Sequence, residues 1–259
     1  MLVVLSPAKK LDWRDRPGVT LTDPAFREDA ASLAALAREL DPEGLQRLMG
    51  ISQKLARLNA ERFATFEEAP QPEALRPAAL AFAGDTYTGL DAQSLDDDAR
   101  RWAQEHLRIL SGLYGILRPF DGIQPYRLEM GSRLANPRGR DLYAWWGDRL
   151  ARALNETAAE NGSDTVLNCA SQEYFGAVDR AALKPRVVTP VFMEERDCAP
   201  RVVSFYAKQA RGAMARFVCE NRLTDPGDIR AFDAGGYRHA PEMSTDERCV
   251  FLRAQAAAA

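Results

Sequence analysis

Short, continuous apolar runs mark the expected strands of this chain. Leu2–Leu5 and Thr165–Cys169 lack polar alternation, which predicts strands that are buried on both faces of a sheet. Val187–Met193 and Arg201–Phe205 are further predicted strands, and the short polar turn between them (EERDCAP) would allow a hairpin. Cys249–Leu252 indicates one more strand near the end of the chain.

Longer segments carry apolar residues at intervals of three and four, the spacing of one face of a helix. They span about residues 24–40, 95–107, 141–159 and 206–223. Two shorter segments, 170–177 and 226–231, predict a short helix or a turn each. The segment 67–78 is rich in proline and acid and is the best linker candidate, although it is too short to establish a domain boundary.

These strands and helices alternate without a regular β–α–β order. We therefore predict an α/β (mixed α+β) fold, in which helices flank one mixed β-sheet. With 259 residues the chain is long enough to bury a substantial core. Residues 1–259 are treated as a single domain.

Composition and charge narrow the functional classes. The net charge of −3 excludes a globally basic nucleic-acid binder but permits a basic cleft on an acidic body. The 4 cysteines are scattered without a CxxC pair, as in proteins of a reducing cytosol. The first apolar run is too short for a signal peptide, and no later run is long enough to span a bilayer. These features predict a cytoplasmic protein without a membrane partner.

Residues 108–134 interleave glycines and prolines with four arginines. Apolar residues would anchor this segment, which we call the ribbon, to the core as a stiff and irregular stretch. Arginines such as Arg118 and Arg127 would then stand on a rigid support, which favours an anion site. The alternative is a glycine-rich crossover whose arginines are merely solvated.

The segment Leu45–Arg62 resembles the helix-hairpin-helix motif of DNA-binding proteins, although Met49 replaces its usual proline and Ser52 its second glycine. A tight turn between two helices would direct backbone N–H groups toward a phosphate. The alternative is an ordinary pair of short helices joined by a glycine turn. The residues predicted to form this contact are Gly50, Ile51, Ser52, Lys54 and Arg57.

Two other segments add positive charge. A pair of lysines follows the first strand, at a position where α/β proteins commonly hold ligands. The segment Arg201–Arg222 holds five cations against one acid, which predicts a basic helix face or, alternatively, a merely solvated one. We expect these groups to converge with the arginines of the ribbon on one basic cleft. The expected lining residues are Lys9, Lys10, Arg118, Arg127, Lys208 and Arg211.

Several carboxylates lie beside polar or glycine positions and are candidates for acid–base chemistry. They are Asp12, Asp85, Asp121, Glu129 and Glu173. Each could instead hold an arginine of the ribbon, and we favour that structural role. Lys208 is the candidate amine nucleophile.

Other chemistries find less support. His106 falls within an amphipathic helix and is expected to be packed rather than catalytic. The chain has no HxxxH or CxxC pattern and no clustered acids, and it lacks the Walker and Rossmann fingerprints. We therefore expect no metal site and no cofactor.

Seven blocks, taken together and in order, resemble the YaaA peroxide-stress protein family over about residues 1–253. The blocks are SPAKKLD (6–12), LMGISQKLARLNAERF (48–63), FAGDTYTGL (82–90), HLRILSGLYGILRPFDGIQPYRLEMGSRL (106–134), LYAWWGD (142–148), NCASQEYF (168–175) and FYAKQARGAMARF (205–217). Cys169, which stands where the family has leucine, and a variable C-terminus are the main departures.

The resemblance implies a cytoplasmic protein of the peroxide (oxidative) stress response with a cannon-like fold and a helix-hairpin-helix element at about residues 41–66. It also implies binding of duplex or branched DNA and protection from iron-dependent oxidative DNA damage. The alternative is a nucleic-acid-modifying enzyme, such as a base-excision glycosylase or lyase that acts on damaged DNA. Lys208, Asp85, Asp121 or Glu129 would carry that reaction. The lack of clustered ligands argues against direct iron binding.

Overall fold

Eight strands form the main sheet of the computed structural model, which describes residues 1–196 and 199–254. Two further pairs of very short strands lie outside this sheet. The strands are β1 (Leu2–Leu5), β2 (Lys10–Leu11), β3 (Arg76–Pro77), β4 (Phe82–Ala83), β5 (Leu107–Ser111), β6 (Gly115–Leu117), β7 (Gly122–Ile123), β8 (Thr165–Asn168), β9 (Arg186–Arg196), β10 (Ala199–Arg201), β11 (Arg238–His239) and β12 (Arg248–Arg253).

The sheet has the order β11-β12-β9-β8-β1-β5-β6, and β10 pairs with the end of β9. β1 is parallel to both neighbours, so that Val4 lies opposite Arg108 on one side and Asn168 on the other. β6, β10 and β11 are antiparallel to their partners, which makes the sheet mixed, as predicted. All four residues of β1 are buried, because a strand between two parallel neighbours is covered on both faces.

The helices surround this sheet. They are α1 (Arg27–Arg38), α2 (Pro42–Met49), α3 (Gln53–Ala64), α4 (Ala78–Ala81), α5 (Asp85–Leu90), α6 (Asp97–His106), α7 (Leu142–Trp146), α8 (Arg149–Glu160), α9 (Gln172–Phe175) and α10 (Ser204–Asn221). Short 3₁₀ turns add Pro72–Ala74, Ala92–Ser94, Pro226–Ala231, Ala234–Gly236 and Pro241–Met243. Among the described residues, none of these helices has both the length and the apolar character that crossing a bilayer requires.

The helices α5 and α10 cross with their backbones close together. Gly89 of α5 faces Gly212 of α10, and a Cβ atom added at Gly212 would overlap the carbonyl oxygen of Thr86. Here glycine is required by the close approach of two backbones. The crossing places the basic N-terminal half of α10 beside the loops that follow β1 and β8.

Two predicted elements differ from the structure, and a third falls partly outside the described residues. The helix predicted over 141–159 is two helices, because the chain turns at Gly147 with φ 51°. The strand predicted over 201–205 is wrong in extent, because β10 ends at Arg201 and α10 begins at Ser204. The β-branched and aromatic residues there favour a strand locally. None of them is buried, however, and the helix is held by its buried face, which begins at Ala207. The turn expected before β10 includes Asp197 and Cys198, which lie outside the described residues.

The ribbon is more regular than predicted. It begins with β5, which pairs with β1 inside the main sheet. Arg108 is therefore buried (8% exposed) and donates to the carbonyl oxygens of Gln104 and Leu107.

The linker candidate at 67–78 is no boundary, since the backbone of Glu67 exchanges two hydrogen bonds with the Gln124 side chain.

Candidate nucleic-acid interface

The topology of the sheet defines one crevice. The chain adds β5 on one side of β1 and later β8 on the other, so the strand order reverses at β1. Open α/β sheets hold ligands outside the carboxyl ends of the strands at such a point. We call this end of the sheet the carboxyl edge, and it is formed by the loops after Leu5, Ser111 and Asn168. The opposite end is the amino edge.

Hydroxyl groups hold the first of these loops in place. Ser6 Oγ accepts a hydrogen bond from the backbone N–H of Ser171 (2.8 Å), and the Tyr87 hydroxyl donates to the Ser6 carbonyl oxygen (3.0 Å). Burial raises the pKa of Tyr87 well above its ordinary value, so Tyr87 remains a neutral donor. The loop that carries Lys9 and Lys10 is therefore fixed to both β8 and α5.

Glu129 binds two of the predicted cations. Its Oε1 lies 3.3 Å from Lys9 Nζ and 2.9 Å from Arg127 Nη2. The Glu129 side chain is 14% exposed, whereas Lys9 is 64% exposed. The predicted structural role of a carboxylate that holds an arginine of the ribbon is confirmed here. Two cations against one carboxylate leave this group of three side chains with a net positive charge.

Glu173 closes the same edge from α9. The side-chain Oε1 of Glu173 accepts a hydrogen bond from the backbone N–H of Gly131 (3.1 Å). The backbone carbonyl oxygen of Glu173 accepts a second one from the Tyr143 hydroxyl (3.0 Å). The carboxylate thus attaches the end of the ribbon to the turn after β8.

The helix α10 brings two more cations to the carboxyl edge. Arg211 is half-buried beside Cys169, and burial lowers the pKa of its guanidinium. Burial in turn raises the pKa of Cys169 to about 12, with Arg211 opposing that effect. Lys208 lies one turn earlier on α10 and is exposed. Within residues 1–196 and 199–254, neither cation makes an ion pair or a hydrogen bond, so both are available to an external anion.

Arg118 lies elsewhere. It follows β6, which runs antiparallel to β5, and this places it at the amino edge. Its Nε donates to Asp121 Oδ1 (3.0 Å), and its guanidinium donates to the Asp23 carbonyl oxygen (3.1 Å). Asp121 is 1% exposed and also accepts a hydrogen bond from the Thr22 hydroxyl (2.6 Å). Burial raises the pKa of Asp121, while its bonds to Thr22 and Arg118 oppose that rise. Arg118 and Lys9 therefore lie at opposite ends of the sheet.

α2 and α3 form the helical pair that the sequence predicts. Asp41 caps α2 by accepting a hydrogen bond from the Gly44 N–H (2.7 Å), and Ser52 caps α3 in the same way. Gly50 ends α2 in the left-handed region, at φ 61°, where a side chain would be strained. Ile51 is buried beneath this turn.

The first turns of α3 present an exposed face. Lys54 and Arg57 are exposed, and within the described part of the chain they have no acidic partner. Leu55 and Leu58 lie beside them and are also exposed.

The other end of α3 is anchored to the body of the protein. Arg38 donates to the carbonyl oxygens of Phe63 (2.8 Å) and Phe66 (2.6 Å), and Phe66 packs against Tyr114 with ring centroids 6.1 Å apart. Lys54 and Phe63 are nine residues apart on α3, so at 1.5 Å per residue Lys54 lies about 14 Å along the helix from this anchor. In the described part of the chain, no hydrogen bond or ion pair joins α3 to the cations of the carboxyl edge, and we treat the two groups as separate basic surfaces.

The remaining candidates have local roles. Asp12 binds Arg14 and Arg16, and Asp85 begins α5. His106 stacks on Trp102 with ring centroids 4.1 Å apart, which confirms that it is packed. No group of three or more His, Cys, Asp or Glu side chains suited to a metal occurs among the residues that the structure describes.

Two residues of the carboxyl edge were not predicted. Ser6 could have been found from its position directly after a buried strand, since such positions commonly face a ligand. The role of Tyr87 could not be predicted from the sequence, because its hydrogen bond to Ser6 joins residues 81 positions apart in the chain.

Known proteins share this sequence along most of its length. The family model for peroxide stress protein YaaA matches residues 1–243. A UPF0246 protein of Roseobacter denitrificans is 61% identical over 255 residues, which cover 98% of each chain. A UPF0246 protein of Ruegeria pomeroyi is 60% identical over 253 residues, again 98% of each chain. A third, from Dinoroseobacter shibae, is 59% identical over 253 residues, or 98% of this chain and 95% of its own. The chain therefore belongs to the peroxide stress protein YaaA family.

Proposed function

We propose that the protein binds the phosphate backbone of duplex or branched DNA and thereby limits iron-dependent oxidative DNA damage during peroxide stress. The observation that carries this proposal is the exposed N-terminal face of α3. There Lys54 and Arg57 have no acidic partner within residues 1–196 and 199–254, and they lie beside the Gly50 turn. The positive end of the helix dipole adds to their charge.

The geometry of α3 suits a backbone contact. The unpaired N–H groups of a helix N-terminus point away from the helix along its axis, where a phosphate can accept them. Leu55 and Leu58 can contact the sugars between successive phosphates. Such contacts do not read sequence, so we expect little preference among duplexes of the same structure.

Replacing both Lys54 and Arg57 with alanine should lower the affinity for duplex DNA by roughly 10- to 100-fold at moderate salt, because about two phosphate contacts are lost. The slope of log affinity against log salt should fall by about 2. Fluorescence anisotropy with a labelled duplex, repeated across a salt series, measures both quantities.

The matched control removes two other exposed cations, Arg180 and Lys184, from the segment after α9. This control should bind as the wild type does. If the two double variants weaken binding equally, or if wild-type affinity does not change with salt, the α3 contact is excluded.

The carboxyl edge is proposed as a second contact for the same DNA. Replacing Glu129 with glutamine removes the charge that Lys9 and Arg127 share, while the shape of the side chain is kept. Affinity should then rise by about 3- to 10-fold at low salt, because two cations become available to phosphate. The same anisotropy measurement detects the gain.

Glu160→Gln is the control for this gain, since it removes one exposed carboxylate at the end of α8. An equal rise in both variants would mean that only net charge matters. A fall in affinity for Glu129→Gln would place the DNA away from the carboxyl edge.

The geometry favours binding over base excision. A glycosylase or lyase needs an enclosed pocket in which the nucleophile and the acid–base group meet the flipped base. Lys208 stands on an open helix surface, and Asp121 is buried at the amino edge, away from Glu129 at the carboxyl edge. Asp121 and Glu129 therefore do not meet in one pocket, and Lys208 is not enclosed.

A further inference from the structure

The start of α10 carries an exposed aromatic side chain. Phe205 is 54% exposed, although a phenylalanine ring gains free energy when it is removed from water. Its neighbour Val202 is 53% exposed, so the two form a small apolar patch at the entry to the helix. The structure gives this patch no covering element among residues 1–196 and 199–254.

The Phe205 ring is held in a defined orientation. It packs edge-on against the ring of Tyr206, with centroids 5.2 Å apart. Tyr206 is itself covered by the guanidinium of Arg253, 3.9 Å from its centroid, and Arg253 is fixed by a 2.7 Å ion pair with the buried Glu194. Because its support is rigid, Phe205 can offer a flat face to a ligand without loss of side-chain freedom.

Cations lie on both sides of Phe205 along the chain. Arg201 precedes it, and Lys208 follows it one helical turn later; both are exposed and have no acidic partner in the described part of the chain. Phe205, Lys208 and Arg211 are spaced three residues apart, so they form a continuous stripe on α10. The stripe begins at the exposed aromatic ring and ends at Arg211 beside Cys169 on the carboxyl edge.

An aromatic face beside a row of unpaired cations is the arrangement by which proteins bind single-stranded nucleic acid, since phosphates follow the cations while a base stacks on the ring. We propose that Phe205 is the stacking platform for one unpaired base of DNA whose backbone follows Arg201, Lys208 and Arg211. This inference rests on the proposed DNA binding and assigns its structural preference: duplexes interrupted by unpaired bases should bind more tightly than continuous ones.

The test compares three labelled probes by anisotropy: a continuous duplex, the same duplex with a central unpaired bubble, and single-stranded oligothymidine. Phe205→Leu keeps an apolar side chain but removes the aromatic face, and we expect it to weaken bubble and single-strand binding by about tenfold with little change on the duplex. Phe205→Trp keeps a stacking surface and should retain or increase the preference for the bubble.

Two controls separate stacking from other effects. Val202→Ala removes an equally exposed apolar side chain and should leave all three affinities unchanged. A fluorescent 2-aminopurine base placed in the bubble should be quenched on binding to the wild type and to Phe205→Trp, but not to Phe205→Leu. Circular dichroism establishes that each variant is folded, which is expected because position 205 lies at an exposed helix end.

The outcomes distinguish this inference from the proposed function. If the duplex binds and Phe205→Leu leaves the ratio of bubble to duplex affinity unchanged, the stacking platform is excluded while DNA binding stands. If Val202→Ala and Phe205→Leu lower the bubble affinity equally, the patch acts by apolar contact, as a protein-docking surface would, and the stacking proposal also fails. If Lys54→Ala with Arg57→Ala binds DNA as the wild type does, the α3 contact fails, whereas a bubble preference that depends on Phe205 would remain in place.

Discussion

Gly212→Ala is expected to lower the free energy of unfolding by about 3 kcal/mol, at the upper end of the range for overpacked cores. The added methyl group would overlap the backbone carbonyl of Thr86 at the crossing of α5 and α10. A side chain could rotate away, but here the obstacle is the backbone of α5, so the two helices themselves must separate. Urea unfolding monitored by circular dichroism measures the change.

Gly44→Ala is the matched control on α2. Its added methyl group would meet only side-chain atoms of Asp41 and Leu40, and alanine is a better helix former than glycine by about 1 kcal/mol. We expect a change within about 1 kcal/mol of the wild type for this variant. Equal stability of Gly212→Ala and Gly44→Ala would contradict the close crossing.

Asp121→Ala is expected to cost about 3 kcal/mol of stability, because a buried carboxylate would be removed from several donors at once. The Arg118 backbone N–H, the Arg118 guanidinium and the Thr22 hydroxyl all donate to Asp121. Without the Asp121 carboxylate, these donors would lose their acceptor, and the loop after β6 that carries Arg118 would open. Thermal or urea unfolding of the purified variant provides the measurement.

Asp98→Ala tests whether burial causes the stability loss that we expect for Asp121→Ala. Asp98 also forms ion pairs, with Arg101 and Arg222, but its side chain is 58% exposed. Water replaces the lost partners at such a site, so the expected change is within about 1 kcal/mol. If Asp98→Ala destabilised the protein as much as Asp121→Ala does, burial would not explain the effect.

Local patterns in the sequence predicted most of the elements. The apolar runs of β1 and β8 and the pair of short helices α2 and α3 depend on neighbouring residues, and these predictions are confirmed. The two errors of extent, the helix broken at Gly147 and the strand assigned to the start of α10, lie where tertiary packing decides between nearly equal local preferences.

The candidate site was harder to predict, because it depends on which edge of the sheet each loop reaches. Lys9, Arg127 and Glu129 were expected together and lie together. Arg118 belongs to the same ribbon as Arg127, yet β6 carries it to the amino edge. Neither composition nor spacing reports the direction of a three-residue strand, and the sequence therefore could not separate these two arginines.

The order of strands in the sheet has a consequence for synthesis of the chain. β1 leaves the ribosome long before its partners, because β5 and β8 begin only at residues 107 and 165. At roughly 5–20 residues per second, translation from the end of β1 to the end of β8 takes about 8–33 s. During that time the apolar strand Leu2–Leu5 has no partner on at least one side. The centre of the sheet is consequently assembled late, and the nascent β1 is the segment for which we expect chaperone protection to matter most.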